Sequence, residues 1–167
     1  MLQLGVPVMF ARRRAKEDLT IRLTAYTNYS MRILMFCAIH PGQIVRIEDI
    51  ANAFGISKAH LLKSARQMGQ LGYLKTIRGR SGGVQLGMAA ERIIVGEVVR
   101  ALEGDSEVVE CFNPSTNTCP LIGECKMTAL FHRGLEAFFS ELDKVTLADI
   151  TKDPEALRDR LPVLELA

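Results

Sequence analysis

Tryptophan is absent, aromatic residues make up only 6% of the chain, and its 167 residues include just four cysteines and three histidines. Each scarcity excludes a class of protein. The histidines, His40, His60 and His132, stand far apart with no base–nucleophile spacing, and no glycine-rich phosphate loop accompanies them, so an enzyme is not expected. No apolar run approaches the roughly 20 residues that a membrane-crossing helix requires, so no membrane partner is expected. The early apolar stretch Leu2 to Phe10 precedes Arg12-Arg13-Arg14, the reverse of a secretory leader, in which positive charge comes first. The cysteines are too few and too clustered for a disulfide framework, which points to the cytoplasm.

What is present supports one compact domain with an extension, since 48% of residues are hydrophobic. Charge is spread unevenly along the chain. Residues 1–43 carry six Lys/Arg against two Asp/Glu, residues 44–86 seven against two, and residues 87–167 eight against fifteen. A basic front suits a polyanion, and an acidic back suits protein or a cofactor. Residues 1–21 lack a clear period and are expected to be a disordered extension.

The expected fold is mainly α with a small β wing: a winged helix-turn-helix over residues 22–104, followed by a loop, 105–126, and a long dimerisation helix, 127–150. Apolar residues from Tyr29 to Ile39 fit a largely buried helix over Thr27–His40, stopped by Pro41-Gly42. Ile47 to Phe54 reads as a short amphipathic helix, Gly55 as a tight turn, and Ser57 as the cap of a second helix reaching about Leu71. In that second helix Ala59, Leu62, Ala65, Met68 and Leu71 are expected to face inward. Lys58, His60, Lys63, Ser64 and Gln67 then point outward. The segments Tyr73–Ile77 and Val84–Leu86 flank Arg78-Gly79-Arg80-Ser81-Gly82-Gly83, a basic hairpin. Such an order places Ser57, Lys58, His60, Lys63 and Gln67 in the major groove of double-stranded DNA, with Arg78 and Arg80 on the adjacent minor groove or phosphates.

Ile94–Leu102 reads as a further short helix. From Met127, apolar residues recur every three or four positions through Leu130, Phe131, Leu135, Phe138, Phe139, Leu142 and Val145, a stripe suited to a homodimer interface. The tail, residues 151–167, contains Pro154 and Pro162 and is expected to be loosely held.

Between these helices stand Cys111, Cys119 and Cys125, with seven and then five residues between them. Three thiolates on one loop suit either an iron-sulfur centre or zinc completed by a nitrogen or water. Cys37 lies among apolar residues and reads as an unreactive buried thiol; His132, Glu110 and Glu124 are further donors near the loop.

Several segments together are similar to the winged-helix family of iron-sulfur transcription regulators that includes IscR, RirA and NsrR. They are Arg22-Leu23-Thr24-Ala25-Tyr26-Thr27-Asn28-Tyr29, Gly55-Ile56-Ser57, the hairpin Arg78 to Leu86, and the three cysteines. Val109-Glu110-Cys111-Phe112, Asn117-Thr118-Cys119-Pro120 and Leu142 to Asp149 look most like the nitric-oxide-sensing group. The resemblance implies a 2Fe-2S or 4Fe-4S cluster on Cys111, Cys119 and Cys125, and a homodimeric repressor of a palindromic operator. It further implies release of DNA when the cluster is nitrosylated by nitric oxide or lost. The alternative it implies is an iron- or cluster-status regulator of the same build. Some members of the nitric-oxide group use an aspartate of the first helix as a fourth ligand; Asn28 stands there, and a neutral amide is a poor iron ligand.

Overall fold

Thr24 accepts a hydrogen bond from the backbone N–H of Thr27 and so starts the first helix, α1, Ala25–Ala38. A computed structural model describes residues 23–79, 81–104 and 109–161 of the chain. Ile33, Leu34, Phe36 and Cys37 of α1 and Ile39 just beyond it are buried, and the small side chains Thr27 and Ser30 complete its inward face. The expected extension, residues 1–21, lies outside the described residues, as does Arg80 of the hairpin.

Two helices follow, α2, Ile47–Phe54, and α3, Lys58–Gln70. The turn between them depends on Gly55, whose φ of +62° lies in the left-handed region that favours a residue without Cβ. The inward face of α3 is Leu61, Ser64, Ala65 and Met68. This corrects the expected register: Leu62 is 50% exposed, Leu71 is 40% exposed and Ala59 is exposed, while Ser64 is fully buried against the core. The serine is small enough to be taken inside, so a polar residue that the patterning turned outward lies buried beside Leu61, Ala65 and Met68 on the inward face.

The antiparallel hairpin joins β1, Leu74–Ile77, to β2, Gly83–Leu86, with Leu74 opposite Leu86 and Ile77 opposite Gly83. A bridge from Val45 to Val84 ties the wing to the chain entering α2. Leu74, Val84 and Val45 are buried, so the wing stands on the core through one side and exposes Lys75, Thr76 and Arg78. A 3-10 turn, Ala90–Arg92, leads to α4, Val95–Glu103, with Val95, Val98 and Val99 buried.

The loop after α4 contains one 3-10 turn, Glu110–Phe112, and ends at α5, Lys126–Leu142. The expectation of one helix over 127–150 is corrected here. The chain breaks after Leu142, Thr146 and Asp149 form a reciprocal cap, and a separate turn of helix, α6, Leu147–Ile150, lies against the core with Leu147 fully buried. Asp153 then caps α7, Pro154–Arg158, with proline in its first turn. The tail up to Leu161 is held rather than loose, because Arg158 donates to the carbonyl of Ile39 at 2.7 Å. Among the described residues no helix is long and apolar enough to cross a membrane.

Candidate DNA-reading surface and cysteine loop

The expected reading residues separate into two sets on α3. Ser57 and Lys58, at its start, are exposed, and Lys58 donates to Glu48 of α2 at 2.9 Å. The Lys58 ammonium holds the Glu48 carboxyl below its ordinary value. His60, Lys63 and Gln67 lie on the flank nearer α1. The Tyr26 hydroxyl donates to Gln67 Oε1 at 2.7 Å, the Lys63 ammonium stands 5.9 Å from the Tyr26 ring centre, and the His60 ring is 5.9 Å from that of Tyr29. Gln67 is therefore half-buried and engaged inside the molecule. Arg78 is exposed on the wing.

On the other flank of α3, facing the wing, a groove of about 780 Å³ is lined by Arg46, Lys58, Leu62 and Arg66 together with Gly69 of α3 and Thr76 of β1. Arg46 and Arg66 are basic residues that the sequence reading passed over. The signal for them was available in the charge of residues 44–86, but the register of α3 had to be known before it could be used.

The cysteine loop is anchored to α5 at two places. Phe112, next to Cys111, stacks on His132 of α5 with ring centres 4.0 Å apart, and the Thr128 hydroxyl reaches Cys111 Sγ at 3.4 Å. Cys125 is the residue immediately before α5. Its thiol is held below the ordinary value by the backbone N–H groups of Met127 and then Thr128, unpaired donors of a helix start, with the Thr128 hydroxyl adding to them. Thr128 thus ties Cys111 to the first turn of α5, the turn whose start also faces the Cys125 thiol. Cys119 is half-buried further along, where Asn117 folds back to accept its backbone N–H at 2.9 Å. Glu110 accepts from Thr118 at 3.2 Å, and Glu124 is exposed. Cys37 lies apart in the core, where burial pushes its thiol up to about 12.

Among the described residues no three His, Cys, Asp or Glu side chains converge as a ready-made metal site. The donor set nonetheless fits a thiolate-ligated centre, with three half-buried thiols on one loop and one of them biased toward the thiolate by a helix start. Thr128 and the Phe112–His132 stack were missed in the sequence because their roles depend on which residue follows the start of α5.

The outer face of α5 presents Met127, Leu130, Phe131 and Phe138, with exposures from 38% to 58%, around Gly134, which has open space above it. Leu135, Phe139 and Leu142 are half-buried on the neighbouring flank. Arg100 of α4 spans to Asp143, just past α5, and its guanidinium carbon lies 4.3 Å from the centre of the Phe139 ring.

Comparison with known proteins places this arrangement. Residues 23–153 match the model of the Rrf2 family, described as an iron-dependent transcriptional regulator. The HTH-type transcriptional regulator NsrR of Bacillus subtilis (strain 168) is 44% identical over 146 residues, spanning 87% of this chain and 100% of that protein. The solved structure of CymR (YrzC), the global cysteine regulator of B. subtilis, superposes with a TM-score of 0.65 at 25% identity, over 79% of this chain and 97% of that one. IscR of T. potens superposes with a TM-score of 0.66 at 24% identity, over 83% of this chain and 92% of that one, a likeness of fold. The chain belongs to the Rrf2 family of winged-helix transcription regulators, and its relatives are regulators, not enzymes.

Proposed function

We propose that the chain is a homodimeric repressor of double-stranded DNA that holds an iron-sulfur cluster on Cys111, Cys119 and Cys125 and releases its operator in response to nitric oxide. The observation that carries this reading is the hydrogen bond from Thr128 to Cys111 together with the place of Cys125 immediately before α5, which joins the thiol loop directly to the first turn of the helix with the exposed apolar face. The signal itself rests on the similarity of the cysteine segments to the nitric-oxide-sensing group and on the 44% identity to an NsrR protein.

The dimer is supported by the outer face of α5. Met127, Leu130, Phe131 and Phe138 are exposed among the described residues, and Gly134 between them leaves room for a second helix to come close. A twofold axis along α5 would hold two copies of α3 at a fixed separation, the arrangement that reads a palindrome with half-sites about one helical turn apart.

An iron-sulfur centre with an open position supplies a binding site for a small diatomic ligand. The work of the chain is to couple that centre to spacing. With three thiols tied together, the loop is braced against α5; with them untied, the Phe112–His132 stack and the single contact from Thr128 remain, and the angle between α5 and the winged helix loosens.

A second reading, an iron- or cluster-status regulator, is favoured by Asn28, exposed on α1 where a carboxylate ligand would otherwise stand, and by the family's description as iron-dependent. Anaerobic protein is treated with stoichiometric nitric oxide or with an iron chelator, and binding to its operator duplex is followed. Release with nitric oxide supports the first reading; release with chelator alone supports the second. In parallel, Cys119→Ala should lose the visible absorption of the wild type.

A further inference from the structure

The inward set Leu61, Ser64, Ala65 and Met68 leaves Leu62, Arg66 and Gln70 exposed on the side of α3 that lines the groove. This face adjoins the wing flank, not the α1 flank where His60, Lys63 and Gln67 stand. If α3 enters a major groove while the wing reaches the next minor groove, one sugar-phosphate strand separates those two grooves and has to cross between helix and wing. The 780 Å³ groove lies at that crossing.

Its charges suit a polyanion. Arg46, Lys58 and Arg66 line it, against a single carboxylate, Glu48. Lys58 is paired with Glu48 at 2.9 Å, and Arg46 is partly engaged by Asp49 at 3.4 Å. Among the described residues no carboxylate lies within ion-pair distance of Arg66, which is exposed on the groove wall. Thr76 adds a hydroxyl donor from β1.

We propose that the groove between α3 and the wing seats one phosphodiester strand of duplex DNA, held by Arg66 from α3 and Arg46 from the start of α2. This rests on the reading of the chain as a DNA-binding dimer and adds to it the residues that grip the strand. Arg66 and Arg46 supply affinity without reading bases, and Glu48 opposes binding by occupying Lys58 and repelling phosphate.

The test uses full-length protein purified without oxygen and two duplexes of about 30 base pairs, one recovered by selection from a randomised pool and one a scramble of it. Binding is followed by fluorescence anisotropy over a range of salt. Arg66→Gln and Arg46→Gln should each weaken both duplexes by a similar factor, about tenfold, and flatten the log–log salt slope by about 2 for a dimer losing two phosphate contacts. Glu48→Gln should tighten both. Both arginines are exposed, so unchanged thermal melting is the expected control. Wild-type binding with unaltered affinity and slope in Arg66→Gln overturns the strand seat while leaving DNA binding intact. Loss confined to the selected duplex overturns it in favour of base reading by Arg66. Failure of the wild type to bind either duplex overturns the seat together with the DNA-binding reading beneath it.

Discussion

Arg100 and Asp143 face each other as a fork on a fork, two guanidinium nitrogens meeting two carboxylate oxygens at 2.6 Å each. The pair fastens α4, whose valines belong to the winged-helix core, to the end of the helix that carries the exposed apolar face. Gly96, one turn earlier on α4, leaves the room this requires, since a Cβ there would overlap the Asp143 carboxylate. The Arg100 guanidinium holds the Asp143 carboxyl below its ordinary value. Its contribution to stability is therefore present above the ordinary carboxylate range and fades as pH falls through the lowered value. Thermal melting of wild type and Asp143→Asn should differ near neutrality and converge in acid. Both side chains are more than two-fifths exposed, so the gap should be small and should shrink with salt. Gly96→Ala should displace the pair and destabilise by about 1 kcal/mol, crowding being partly offset by the better helix propensity of alanine.

Leu61 and Leu62 are neighbours with opposite fates, the first fully buried and the second half exposed. Leu61→Ala should cost about 2–5 kcal/mol in denaturant unfolding, and Leu62→Ala about 0.5 kcal/mol or less. An equal loss from both would mean that the register of α3 is wrong.

That pair also marks how far the sequence could be read. Element order, the Gly55 turn, the hairpin and the lone buried Cys37 were legible because each depends on local residues: a glycine at positive φ, alternating strands, an apolar setting. The facing of α3 was not, because choosing Leu61 over Leu62 depends on Ser64 being accommodated inside the fold, a tertiary fact. The break after Leu142 had readable signs in Thr146, Asp149 and the Asp153-Pro154 pair, but an apolar stripe continuing to Val145 outweighed them. Of the cysteine loop, the ligand types were legible; its fastening by Thr128 and by Phe112 on His132 was not.

Burial that raises the Cys37 thiol to about 12 leaves almost no thiolate near neutral pH. Alkylation of metal-free native protein, followed by peptide mass spectrometry, should mark Cys111, Cys119 and Cys125 and reach Cys37 only in denaturant. Early labelling of Cys37 would show that α1 opens readily.

The exposed apolar face of α5 gives a prediction about the proposed dimer. Leu130→Glu combined with Phe138→Glu should shift the protein from dimer to monomer in sedimentation while leaving its helical circular dichroism in place, because neither side chain is part of the core. A dimer that survives both changes would place the interface elsewhere.

The most direct measurement compares operator affinity of one preparation while it carries the proposed iron-sulfur centre and after that centre has been removed without oxygen. If the cysteine loop sets the spacing of the two α3 helices, affinity should fall by orders of magnitude, about 10⁴-fold for a complete switch between bound and free. Equal affinity of the two forms would contradict the coupling outright.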